Sequence, residues 1–174
     1  MIVIAREVNV KKIMSLLLIA FMMCPIYSAF GVTDEEFVEA KQSLLMGYNG
    51  TETEAINLQN LFAKEGKNMP AQEQAMLLVT NAEFEIPRLA IKEVLALVTL
   101  QAAQESTPAE AQKLLIDACL DAADLLKALI ERFAMRMYSV SNEEAKEIIK
   151  TMITINADAI TSVKTLQTFI EGLQ

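Results

Sequence analysis

With 174 residues, 53% of them hydrophobic, and a mean hydropathy of +0.30, the chain is long and apolar enough for one folded domain with an appendage, and it is not a disordered or collagen-like sequence. Fifteen basic residues against 23 acidic ones give a formal charge of −8, which leaves nothing to neutralise phosphates and excludes a general nucleic-acid binder. The lack of histidine removes the commonest general base and the commonest transition-metal ligand, and two cysteines cannot make a multi-disulfide scaffold.

The N-terminus has the layout of an export signal. Arg6, Lys11 and Lys12 stand against the single acid Glu7. An uncharged run from Ile13 to Tyr27 follows, then the small residues Ser28, Ala29 and Gly31 and the acidic Asp34, Glu35 and Glu36. Cutting after Gly31, at Ala29-Phe30-Gly31, divides the chain into a signal, 1–31, and a single all-helical domain, 32–174. The competing expectation is an uncleaved membrane anchor, because Ile13 to Val32 is 20 residues without a charge, although Pro25 interrupts it. Cys24 does not make a lipoprotein site, since none of Phe21, Met22 and Met23 before it is small. Removing 1–31 takes away three basic residues and one acid, which leaves 12 against 22, a charge of −10, and Cys119 alone. Such a domain has to be held by its apolar core.

The rest reads as helix. Thr33-Asp34-Glu35-Glu36 is a capping box. The helix it opens is expected to stop at Gly47, with a turn at Asn49-Gly50 and a second helix capped by Thr51 or Thr53, ending at Gly66. Asn49-Gly50-Thr51 is also a glycosylation sequon, which matters only in a glycosylating pathway. Pro70 suits the first turn of a third helix through Ala75, Met76, Leu77 and Val79 to about Asn81. Pro87 opens a fourth, from Arg88 to about Gln104. Its stretch Val94 to Leu100 is apolar all round, which predicts a central, buried helix.

The last third carries two heptad seams. Thr107-Pro108-Ala109-Glu110 opens a long helix whose Leu115, Cys119, Ala122, Leu126, Leu129 and Phe133 alternate steps of four and three. Ser141-Asn142-Glu143-Glu144 opens a second, with Ala145, Ile149, Met152, Asn156, Ala159, Val163, Leu166 and Ile170. Two helices of about 30 residues should pack as an antiparallel hairpin roughly 45 Å long. The expected fold is an all-α bundle of five or six helices ending in this hairpin.

Few residues point to chemistry. Asp117, Asp121 and Asp124 share one helical stripe, bracketed by Lys113 and Lys127. They read as a solvated, salt-bridged face or as an acidic patch facing a partner, because one straight helix offers a cation ligands from one side only. Thr151, Thr154, Thr161, Thr165 and Thr168 form a hydroxyl stripe on the last helix, either a weakly polar docking surface or a flank within the bundle. Asn156, in an apolar seam, is expected to bond a neighbouring helix or to act as a polar key at an interface. Cys119 falls on the core seam and has no base to activate it. Met135 and Met137 lie two apart and point to different sides of a helix, so they do not form a copper site. There is no CxxC, GxSxG, HExxH or phosphate-cradling loop. No catalytic residue, cofactor or metal is expected.

The function these features imply is that of a non-catalytic protein, periplasmic or secreted, that binds an unidentified protein partner. Nucleic acid is excluded, a membrane enters only with a retained N-terminus, and a homo-oligomer is compatible with the seams. A membrane-anchored subunit of an envelope complex, a carboxylate-based hydrolase and a carrier of a small apolar ligand are the competing expectations.

Overall fold

The computed structural model describes residues 32–102 and 109–172. Five α-helices account for nearly all of them: α1 (Asp34–Glu65), α2 (Ala71–Glu83), α3 (Glu85–Ala102), α4 (Ala109–Ser139) and α5 (Glu143–Glu171), with a 3-10 turn at Gly66–Asn68. There is no strand among the described residues. The all-α bundle and its long C-terminal hairpin stand as expected.

The helices form four antiparallel legs. α2 and α3 together make one leg, since Phe84 N donates to both Thr80 O and Asn81 O and keeps the chain helical between them. Pro87, which has no N–H to donate, sits in the first turn of α3, where that loss is tolerated. Each leg packs against its two neighbours in the cycle α1, α2–α3, α4, α5 and back to α1.

All six expected seam residues of α4 and all eight of α5 are buried. They meet α1 and the second leg in two apolar clusters. One holds Phe37, Leu44, Ile91, Val94, Cys119, Leu126, Val163, Leu166 and Phe169. The other holds Leu58, Leu61, Leu77, Phe84, Leu129, Phe133, Ile149 and Met152. Aromatic pairs knit each cluster, Phe37 with Phe169 at 4.3 Å and Phe84 edge-on to Phe133 at 5.3 Å.

Four expectations are corrected. The first helix does not stop at Gly47: α1 runs unbroken through Gly47, Asn49 and Gly50, and Thr51 and Thr53 bond back to Tyr48 O and Asn49 O as interior residues. Gly50 serves packing. A Cβ on Gly50 would come within 3.0 Å of Ile155 Cδ1, so its absence lets α1 and α5 approach closely. Second, α3 begins at Glu85, before Pro87, and its Val94–Leu100 stretch is not central. Ala96 is exposed and Leu100 is 63% exposed, because α3 is an outer leg with an inner and an outer face. Third, Pro70 is the N-cap of α2 and not a residue of its first turn, since the helix begins at Ala71; Leu77 is its one fully buried apolar side chain. Fourth, the cap of α5 is Asn142, whose Oδ1 accepts from Ala145 N at 2.9 Å, and not Ser141.

The Thr33 capping box is present, with Thr33 N donating to Glu36 Oε2 at 2.7 Å and Glu36 N donating to Thr33 Oγ1 at 3.2 Å. The expected cap at Thr107 and the signal or anchor, 1–31, lie outside the described residues. No helix among the described residues is long and apolar enough to cross a membrane.

Candidate functional site

Asp117, Asp121 and Asp124 are exposed on the outer face of α4, turned about 180–240° from the seam at 100° per residue. No ion pair joins them to Lys113 or Lys127 among the described residues, so they are a solvated stripe without the expected salt bridges. No group of three or more carboxylate and thiol side chains among the described residues is arranged to hold a metal ion.

The threonine stripe faces outward along α5, with Thr165 half-buried and Thr151, Thr154, Thr161 and Thr168 exposed. Every hydroxyl donates to the carbonyl four residues back: Glu147, Lys150, Ala157, Thr161 and Lys164, at 2.9–3.2 Å. With each donor already used within the helix, the stripe presents methyl groups and acceptors only. Thr161 and Thr165 also line a shallow open groove with Glu36, Glu39 and Ser43 of α1.

Asn156 departs from expectation. It is fully buried at the level where the two apolar clusters meet, and neither Nδ2 nor Oδ1 has a hydrogen-bond partner. It makes no bond to a neighbouring helix. Cys119 is fully buried, and burial, with the charge of Glu171 adding to it, pushes its thiol up to about 12. A thiol so reluctant to ionise is not a nucleophile at neutral pH.

Two further carboxylates act across the fold. Glu73 of α2 is buried and accepts from Ser141 N at 3.0 Å, Ser141 Oγ at 2.5 Å and Asn142 N at 3.0 Å, while Asn142 Nδ2 donates to Glu65 at 2.8 Å. The Ser141 hydroxyl first, then the two amides and the charge of Lys146, hold the Glu73 carboxyl below its usual range against its burial. Glu83 ties α2 to α4 by ion pairs with Arg136 and Arg132. Burial opposes its ionised form, but the hydrogen bonds and charges of Arg136 and Arg132 prevail and lower its pKa. Both are latches: their oxygens face partners within the bundle.

Exposed large apolar side chains are scattered over α1 and α4, among them Met46, Leu114, Met135 and Tyr138, and they also occur on the outside of the second leg. The exposed positions of α2 are Ala71, Gln72, Ala75, Leu78, Val79 and Ala82, none of them charged. Leu78 and Val79 are 53% and 52% exposed, and Leu89 and Leu100 of α3 are 60% and 63% exposed. Ala71, Ala75, Leu78, Ala82, Glu85, Leu89, Lys92 and Ala96 alternate steps of four and three along this face, an outward seam interrupted by one acid and one base. Sequence reasoning missed it because on α2 the outer face is uncharged like most of the inner one, and little amphipathic contrast tells them apart.

No protein-family model matches the chain, and comparison with curated proteins and with solved structures finds no match either.

Proposed function

We propose that the chain is an exported helical-bundle protein that acts without catalysis, by holding a helix of another protein against the outer seam of α2 and α3. The observation that carries this is the uncharged exposed face of α2, on a chain with net charge −8. A partner helix is the complement of a seam in heptad steps, and a strip from Ala71 to Leu100 is about 45 Å long at 1.5 Å per residue, enough for one helix of similar length. Contiguous exposed apolar surface marks binding sites, and Leu78, Val79, Leu89 and Leu100 supply the large apolar side chains of this strip. Export rests on the basic, apolar and small-residue succession of 1–31, and the same succession retained as an anchor would place the bundle at a membrane.

The test is affinity capture from an envelope extract with the wild-type chain and with the double variant Leu78→Lys, Leu89→Lys. Both positions are exposed, so the variant keeps its helix content. A protein captured by the wild type and by a triple variant Asp117→Asn, Asp121→Asn, Asp124→Asn, but lost from the double variant, supports the seam. Equal capture by all three removes it.

A further inference from the structure

The two halves of the second leg are held to the bundle by different means. α3 is held by apolar burial, with Ala90, Ile91, Val94 and Val98 all buried. α2 buries Glu73, Leu77 and Thr80, so one apolar side chain among its thirteen residues is fully buried. Beside Leu77 its packing on α1 is open. A groove of about 100 Å³ lies between the two helices, lined by Leu58, Gln59, Phe62, Leu77, Leu78 and Asn81. Side chains along such a gap lose dispersion contacts. The extended Met69 and Pro70 bound the helix on one side and the Phe84 junction on the other.

Polar fastenings at the two ends of α2 take the place of apolar burial. In the first turn, Glu73 accepts from Ser141 and Asn142 and ties α2 to the α4–α5 connection. In the last turn, Glu83 pairs with Arg132 and Arg136 of α4, and Arg136 Nη1 also donates to Thr80 Oγ1 at 3.2 Å. Glu73 and Glu83 are the only ionisable side chains of α2. Around Glu73 stand Glu65 of α1, which bonds the same Asn142 and pairs with Lys64, and Lys146 of α5, which pairs with Glu143; Glu144 of α5 pairs with Lys64. Glu83 faces the two arginines of α4, and the neighbouring Glu85 of α3 is paired with Arg88.

From these contacts we infer that α2 is a strap, fastened by Glu73 and Glu83, that lifts from the bundle as a unit while α1, α4 and α5 stay folded, and that acid loosens it. A segment with little buried apolar surface opens at a lower free energy than the core. Both carboxyls lie below their ordinary 4.5 in the closed state. Their fastening is therefore complete above that pH and is lost as pH falls through the lowered values. A free helix of thirteen residues is marginal in water, so the lifted strap unravels. Leu78 and Val79 belong to the strap, so on the reading of the outer seam as a binding surface its lifting takes that surface apart; the opening itself does not rest on that reading.

Native-state hydrogen exchange read by mass spectrometry on the purified full chain tests this, with rates corrected for the intrinsic effect of pH. In the wild type at pH 7, amides within 72–82 should exchange on the order of tenfold faster than those within 146–166 of α5. Their protection should fall by about tenfold between pH 7 and about pH 3. The double variant Glu73→Gln, Glu83→Gln should raise exchange within 72–82 by about tenfold at pH 7 and reduce its pH response to less than about twofold. Equal protection of the two segments in the wild type overturns the strap, whatever the variant does. Wild-type protection within 72–82 that ignores acid overturns the fastening by carboxylates, and so does a double variant that keeps the full pH response.

Discussion

Replacing Asn156 by Leu should stabilise the protein. The side chain is fully buried, and its amide carries a donor and an acceptor that nothing bonds, in an otherwise apolar row from Ile149 to Val163. Removing buried, unpartnered polar atoms recovers about 1–3 kcal/mol. Burying the apolar leucine side chain adds about 1.5–3 kcal/mol. Leucine is bulkier than asparagine, and forcing it into a packed layer returns about 1–3 kcal/mol. The balance is a gain of about 2 kcal/mol, or a rise of roughly 6 °C in melting temperature for a domain of this size. Urea unfolding followed by circular dichroism at the helix band measures it, with an unchanged denaturant slope as the check that the folded state is the same. Asn156→Asp is the contrasting variant: a carboxylate in the same place should cost about 3–5 kcal/mol as an unpaired buried charge. A loss of more than about 1 kcal/mol in the leucine variant would refute the reasoning, because it would mean that the amide is bonded in the folded protein.

Three other outcomes follow from the same contacts. The triple variant Asp117→Asn, Asp121→Asn, Asp124→Asn should melt within a few degrees of the wild type, because these side chains are exposed; a collapse of helical signal would show otherwise. Glu73→Gln should cost about 1.5–3 kcal/mol at neutral pH, since it removes the negative charge that strengthens all three hydrogen bonds and replaces the acceptor of the Ser141 hydroxyl by an NH2 group. The wild-type carboxyl lies below its ordinary 4.5, so its contribution is present above that pH and is lost as pH falls through the lowered value. Wild-type and Glu73→Gln stability curves should therefore converge below about pH 4.5, and curves that stay parallel would deny the latch. Intact mass of the exported chain should show a soluble species beginning at Val32, whereas a full-length chain in the membrane fraction would establish the anchor.

The hairpin was legible because each of its helices repeats one apolar period, for about five turns in α4 and about seven in α5, and a period sustained that long reports burial directly. Leu115 to Phe133 and Ala145 to Ile170 needed no tertiary information. Gly47 and Gly50 misled because local propensity gives glycine the meaning of a stop, while the helix runs through both, and Gly50 is explained by Ile155, more than a hundred residues away, filling the space beside it. Val94 to Leu100 misled for a related reason: continuous apolarity does not say whether an outer face is covered by the same chain or left open. The Glu73 latch joins residues 68 and 69 positions apart, and no local pattern marks it. The candidate surface was the least legible part, since Ala71, Ala75, Leu78 and Ala82 look like interior residues until the fold places them outside.

Site-specific photo-crosslinking in the producing cell tests partner binding most directly. A photoreactive residue at Leu78 or Leu89 should give a discrete crosslinked product larger than the chain, and one at Asp121 or Thr154 should give none. Crosslinks from Asp121 or Thr154 with none from Leu78 and Leu89 would move the binding surface to α4 or α5, and no product from any of the four positions would contradict a binding function.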